Sequence, residues 1–406
     1  MVYKNVLPVK EVLFMGFKDP IVSIAKCPNY DDFEAVKKAV SSTLDLIGGI
    51  ESVITPGDHV LLKPNLLGSF DYKSGATTNP NVIFAVAELC REVGAKQITI
   101  AEGAAIGNDT DKVYDDLGLR EQATRYNCRL VNLLKDEFQY VMNPMGKNMK
   151  RLRLPKTFME CNVVINLPVM KTHDILAVTL GLKNMKGVIH NSDKKRFHKW
   201  GLAQTVVDLG KLAMPELTIM DGTIALEGMG PVVGKPVGLG LLLASTDTVA
   251  LDRICMEIMG FSLDEVEYIK MAGEQGLGCT DLSRIKLMGE ALEDVKRPFE
   301  RLSYDSKILD EAGIKVVECD ACTGCNNMVS SYLYGLHAKG ELDKLKDCTL
   351  VYGQNPHIPE DASDKVVLLG VCTRNIRKGN EVYVPGCPPH PLHVNDFLEG
   401  TGLEKE

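Results

Sequence analysis

Apolar residues along the chain come in short runs of four or five, and between the runs they recur at helical spacing. The runs at 59–62, 97–101, 163–167 and 217–220 predict strands. The spacing over 81–93, 246–259 and 263–272 predicts helices. Strands alternating with helices in this way imply an α/β fold built on a parallel sheet. From 280 to 310 the chain is charged and its strand signal weakens, which places a domain boundary near 300. A large α/β body over 1–299 is therefore expected, followed by a smaller α/β domain over 300–406 with strands at 348–351 and 366–369 and a shorter apolar run before Pro385.

Size agrees with more than one core, because 406 residues exceed what a single core usually holds. The chain is 45% hydrophobic and 25% charged, as soluble globular proteins are. A net charge of -8 argues against general nucleic-acid binding. No apolar run approaches the roughly 18 residues that cross a bilayer, and residues 1–18 lack the charged head, apolar middle and cleavage site of a secretory signal. Twelve cysteines spread over a long chain suit metal use in a reducing compartment better than a disulfide framework. The expectation is a cytoplasmic protein with no membrane or nucleic-acid partner, assembling as a homo-oligomer. A solvent-accessible metal cluster would further imply an anaerobic niche.

The cysteines toward the end of the chain add chemistry. Cys322-Thr323-Gly324-Cys325 forms a C-x-x-C turn, Cys372 follows the run ending at Gly370, and Cys387 opens Cys387-Pro388-Pro389 after a second short run. Thiolates presented on loops that leave buried strands are how iron–sulfur clusters are often held. Cys319 adds a third cysteine at the same spacing, so it is an alternative ligand, and a C-x-x-C pair can also hold zinc.

A second constellation lies in the body, where polar residues follow every predicted strand, the position at which open α/β sheets bind ligands. They are Lys63 and Asn65, Glu102, Lys171 with His173, and Asp221. From Lys171 to Lys199 the chain carries seven lysines and arginines against two acids, within a chain that is acidic overall. Lys171, Lys183, Lys186 and His198 in this stretch, with Lys63 and Asn65, would attract a carboxylate or a phosphate. A solvated basic loop over a helix is the plainer alternative. His173 is suited to acid–base work near neutral pH. Lys183 is a candidate nucleophile if desolvated, and Glu102, Asp221 and Glu227 are candidates to orient His173 or bind a cation.

Three resemblances extend this reading. Cys-x-Gly-Cys, then Gly-x-Cys after a strand, then Val-Pro-Gly-Cys-Pro-Pro resembles the proximal-cluster site of nickel–iron hydrogenase small subunits. That resemblance implies one [4Fe-4S] cluster held by Cys322, Cys325, Cys372 and Cys387. Lys63-Pro64-Asn65, Thr78-Asn79-Pro80, Asn166-Leu167-Pro168, Gly181 to Gly187, Asp221-Gly222 and Glu227-Gly228 resemble the family called domain of unknown function 362, over about residues 20 to 290. A more distant likeness is to lactate racemases, which implies a two-lobed body with His173 as acid/base and Lys183 as the cofactor lysine. Glu102-Gly103-Ala104-Ala105 stands where that family has a Gly-x-His-Arg loop, so a nickel pincer is not expected.

The function these features predict is an iron–sulfur redox enzyme acting on a small anionic substrate or a second, unidentified cofactor at a cleft with His173, Lys183 and Lys63 at its centre. The alternatives are a lyase or isomerase of a hydroxy acid with a structural or Lewis-acid cluster, and an electron carrier or cofactor-assembly factor with a redox partner protein.

Overall fold

The computed structural model describes residues 19–173, 176–300, 306–321, 323–389 and 394. The chain divides into two compact units, Met1–Phe197 with Ala203–Arg301 and His198–Leu202 with Leu302–Glu406.

The body unit is built on an eleven-stranded sheet and a separate hairpin. In chain order its strands are β1 (Ile21–Lys26), β2 (His59–Pro64), β3 (Gln97–Glu102), β4 (Arg129–Asn132), β5 (Phe138–Met142), β6 (Arg151–Pro155), β7 (Val163–Leu167), β8 (Val169–His173), β9 (Ala177–Thr179), β10 (Leu217–Glu227), β11 (Lys235–Val237), β12 (Leu241–Ser245) and β13 (Lys286–Gly289). The main path of the sheet runs β13-β1-β12-β10-β7-β2-β3-β4, while β8 and β11 branch from β10, β9 pairs with β8, and β5 pairs with β6 alone. From β10 to β4 every neighbouring pair is parallel. Strands such as Val163–Leu167 are buried at every position, as parallel strands covered on both faces must be.

Along the main path one strand departs from the expected parallel sheet, besides the antiparallel branches β9 and β11. β12 is antiparallel to both β10 and β1. Between β10 and β12 the chain makes only the short β11 return and no helix, and a parallel partner would need a crossover long enough to span the sheet.

Several boundaries also move. The strand expected to end at 220 continues to Glu227, because β8, β11 and β12 supply partners along its whole length. The helix expected from 263 begins at Glu267, since the Glu265 carboxylate first closes a turn by accepting from Ser262 N at 2.7 Å and Ser262 Oγ at 2.8 Å. Helix starts elsewhere follow their caps. Asn79 caps Pro80–Glu92 with proline at the first turn, and Asp247 caps Thr248–Ile258 by accepting from Ala250 N.

The second unit carries four parallel strands in sequential order, β14 (Lys315–Cys319), β15 (Cys348–Gly353), β16 (Lys365–Leu369) and β17 (Val382–Val384). Alternation sends Val367, Leu369 and Val384 into one apolar cluster with the helix Thr323–Ala338. Leu368, Tyr383 and Val351 pack into another with Cys319.

Candidate functional site: buried lysines at the strand ends

Three parallel strands of the body, β2, β3 and β7, deliver polar side chains to their carboxyl ends, and these side chains meet. Lys63, near the end of β2, donates to Glu102 Oε2 at 2.6 Å and to Pro64 O at 2.8 Å. Glu102, the last residue of β3, also accepts from Leu66 N and Gly103 N, so its carboxylate closes both loops around itself. Asn166 of β7 and Asn65 after β2 are joined through Asn184, whose amide donates to Asn166 Oδ1 and whose Oδ1 accepts from Asn65 Nδ2.

Lys171, expected directly after a strand, is part of one. It lies inside β8, buried at all five positions, with its ammonium on Ala76 O at 2.8 Å and on Asn65 Oδ1. Lys194 comes from the helix Asn191–Lys199 and donates to Gly103 O at 2.7 Å and Ala104 O at 2.9 Å. Lys186, half-buried, holds its ammonium 5.8 Å from the centre of the Phe197 ring. The plainer reading of 171–199 as a solvated loop is thereby corrected for Lys171 and Lys194, which are buried.

Electrostatics follow from this packing. Desolvation pushes Lys171 down to about 7 and Lys194 to about 8, partly opposed in both by the Glu102 charge and reinforced by Lys63. Burial also lowers Lys63, and it drives Lys186 well below its ordinary value with help from Lys183 and Lys194. The unfolded chain, with lysines near 10.5, binds more protons at these groups than the folded one between about pH 7 and 10.5, so their contribution to stability rises with pH across that window. The melting temperature is expected to climb from pH 7 to about 8, below the range in which buried thiols raised by desolvation oppose the trend, and less steeply in Lys171→Met. An unchanged slope in that variant would put the Lys171 ammonium in water.

Other expected site residues are placed as follows. His173 ends β8, buried and on the same face of the β8–β9 hairpin as Lys171; its Nδ1 accepts from Leu176 N at 3.1 Å, which leaves Nε2 to carry the proton. Lys183 donates to Thr179 Oγ1 at 2.8 Å, and Thr179 is paired with Lys171 across the hairpin. The side chain of His198 lies outside the described residues.

The three acids are each engaged elsewhere in the body. Glu102 pairs with Lys63. Asp221 accepts from Asn79 N, Thr223 N and Thr223 Oγ1, with burial raising its pKa. Glu227 holds Arg297 through both oxygens and accepts from Glu300 N; the Arg297 hydrogen bonds lower its pKa. Asp221 was expected just past a strand, but β10 runs through it and ends at Glu227.

Sequence reasoning did not name Lys194 or Asn184 as site residues. Lys194 is three residues before the buried Phe197, the spacing that puts both on one helical face. A Cβ on Gly187 would lie 2.0 Å from Glu102 Oε1 and 2.6 Å from Lys63 Nζ, so glycine is what lets the main chain cover the ion pair.

In the second unit the cysteine-bearing loops gather at the carboxyl ends of β16 and β17. Gly370 N donates to Val384 O and Val371 N to Gly386 O, both at 2.9 Å, which ties the Cys372 loop to the Cys387 loop. Buried Cys325 puts its Sγ 3.6 Å from where a Gly370 Cβ would stand. Cys372 and Cys387 are exposed, and Cys322 lies outside the described residues. Cys319 packs with Leu368 and Tyr383, not with the cluster of Cys325, and its Sγ is 3.5 Å from His357 Nδ1. Among the described residues no three His, Cys, Asp or Glu side chains form a metal-binding group.

Together these observations define a mixed α/β protein with a mostly parallel sheet and a site of buried lysines at its strand ends. The model of the family "Domain of unknown function (DUF362)" matches residues 60–257, and the chain belongs to that family. It is 32% identical over 263 residues to the "Thylakoid-associated protein sll1697" of Synechocystis sp. (strain ATCC 27184 / PCC 6803 / Kazusa), a match covering 63% of this chain and 79% of that protein. Among solved structures, the lactate racemase apoprotein from Thermoanaerobacterium thermosaccharolyticum matches with a TM-score of 0.39 and 12% identity, over 87% of this chain and 69% of that one. No described helix is long and apolar enough to cross a membrane.

Proposed function

We propose that this chain is an iron–sulfur redox enzyme whose body unit binds a small anionic substrate, a carboxylate or a phosphate, among Lys63, Lys171, Lys183, Lys186 and Lys194. The observation that carries this reading is the burial of several lysines around a single carboxylate, Glu102. Buried charge is costly unless it is compensated, and an anionic ligand compensates it. Asn65 and His173 supply hydrogen-bonding groups beside Lys171.

The second unit would hold a [4Fe-4S] cluster through Cys322, Cys325, Cys372 and Cys387. Support comes from the tied loops of Cys372 and Cys387 and from the room Gly370 leaves beside Cys325 Sγ. Such a cluster supplies electrons singly at a potential tuned by its surroundings. A docking loop for a redox partner needs exposed lysines; in this stretch Lys195 and Lys199 are exposed, while Lys171 and Lys194 are buried.

His173 favours a second reading, a lyase or isomerase of a hydroxy acid. Its Nε2 carries the proton on the hairpin face that it shares with Lys171, an arrangement suited to moving a proton at a substrate carbon. A reduction experiment separates the two. Anaerobically purified protein is expected to contain iron and sulfide, to bleach with dithionite, and to regain its visible absorbance when the right member of a panel of small carboxylates and phosphates is added. Zinc in place of iron would sink the redox reading, and turnover of a hydroxy acid with no change in absorbance would establish the second.

A further inference from the structure

Charge at the lysine site is unbalanced by a definite amount. Lys63 and Lys171 are 0% exposed and Lys194 is 4% exposed, and the acid they share, Glu102, is 2% exposed. Electrostatic influence runs among all four, since Glu102 and Lys63 both act on Lys171 and on Lys194. Three buried cations against one buried anion leave two positive charges unanswered. Each ammonium also has a donor to spare. Lys63 uses two N–H groups on Glu102 and Pro64 O, Lys171 two on Asn65 and Ala76 O, and Lys194 two on Gly103 O and Ala104 O. An ammonium has three, so among the described residues each of the three lysines keeps one.

We infer that this site is built for a small oxyanion carrying two negative charges, a phosphate ester or a short dicarboxylate, which completes the charge balance that Glu102 leaves open. The inference rests on the reading of the body unit as an anion-binding site and adds the charge class of the ligand. A monoanion would leave one buried cation unmatched, and uncompensated buried charge is what such sites avoid. Asn65, Lys183, Lys186 and Gly187 adjoin the fully buried group and are only partly buried.

Proton uptake should accompany binding. In the free protein the imbalance is eased by loss of protons, because Lys171 sits at about 7 and Lys194 at about 8. The groups that set these values are Glu102 and Lys63 for both lysines, with Lys186 and His190 also coupled to Lys194. A dianion arriving at mildly alkaline pH draws those protons back.

Calorimetry on the full chain near pH 8 tests this with inorganic phosphate, malonate and acetate, each in two buffers of different ionisation enthalpy. Phosphate or malonate is expected to bind about tenfold or more tightly than acetate, a gap of about 1.4 kcal/mol or more, with net proton uptake. Which of the two wins tells phosphate from dicarboxylate. Equal binding of acetate and malonate would overturn the dianion inference and leave an anion site standing, whereas no binding of any of the three would overturn both. Lys194→Gln should weaken the dianion and spare acetate; the comparison of ligands on the unaltered protein stands even if that variant fails to fold.

Discussion

Lys63→Met, made while Glu102 remains, is expected to cost about 3–5 kcal/mol of folding stability, the usual penalty for stranding one member of a buried ion pair. The pair is short, at 2.6 Å, and its side chains are 0% and 3% exposed, so neither charge can turn to water. Glu102→Gln should be at least as damaging, because it strips Lys63, Lys171 and Lys194 of their shared counter-charge. The double variant Lys63→Met/Glu102→Gln should recover part of the loss, since an uncharged amide still accepts from Leu66 N or Gly103 N. Urea unfolding of the three proteins reads the order directly. If each single variant stayed within about 1 kcal/mol of the parent, the exposed-pair range, the pair would have to be solvated.

Iron content gives the second large effect. Cys325→Ser, Cys372→Ser and Cys387→Ser should each lose most of the iron found in the anaerobically purified parent, or retain a damaged cluster, because a hydroxyl is a far harder ligand than a thiolate. Cys27→Ser is the control, a buried thiol of the body raised to about 11 mainly by desolvation. Cys319→Ser discriminates between the two ligand sets in the sequence. Its Sγ faces His357 on the side of the sheet away from the Cys325 cluster, so iron should persist. Full iron retention in Cys387→Ser would remove that residue from the ligand set, and loss of iron in Cys319→Ser would put Cys319 into it.

How much could be read beforehand depended on whether a residue's role was local. Strand cores such as Val163–Leu167 and capped helices such as Pro80–Glu92 are specified by their own periodicity and end residues, and they were legible. Lys63, Asn65 and Glu102 were legible as candidates because parallel strands place their last residues at one edge. Lys171 was seen as important but misplaced. A fully buried lysine in the middle of β8 violates the expected pattern, and only the distant oxygens of Asn65 and Ala76 make it tolerable. Asp221 and Glu227 misled for a related reason. Their partners Asn79 and Arg297 lie far off in the chain, and the one local partner is Thr223, two residues after Asp221. Lys194 was hidden by composition, since the helix Asn191–Lys199 is so polar that its inward face, Asp193, Lys194 and Phe197, is easily missed. Thr78, by contrast, shows why the Thr-Asn-Pro phrase is distinctive. Its hydroxyl donates to Leu167 O and accepts from Asn65 N, joining the ends of two strands, while Asn79 caps the next helix.

Gly187 carries an implication for comparing this chain with its kin. A methyl group there would fall on the carboxylate of Glu102, so alanine at that point forces the Glu102 carboxylate and the Lys63 ammonium to shift. The residue at this one position, read from a bare sequence, therefore sorts DUF362 chains able to keep the same internal salt link in place from those that must have moved it.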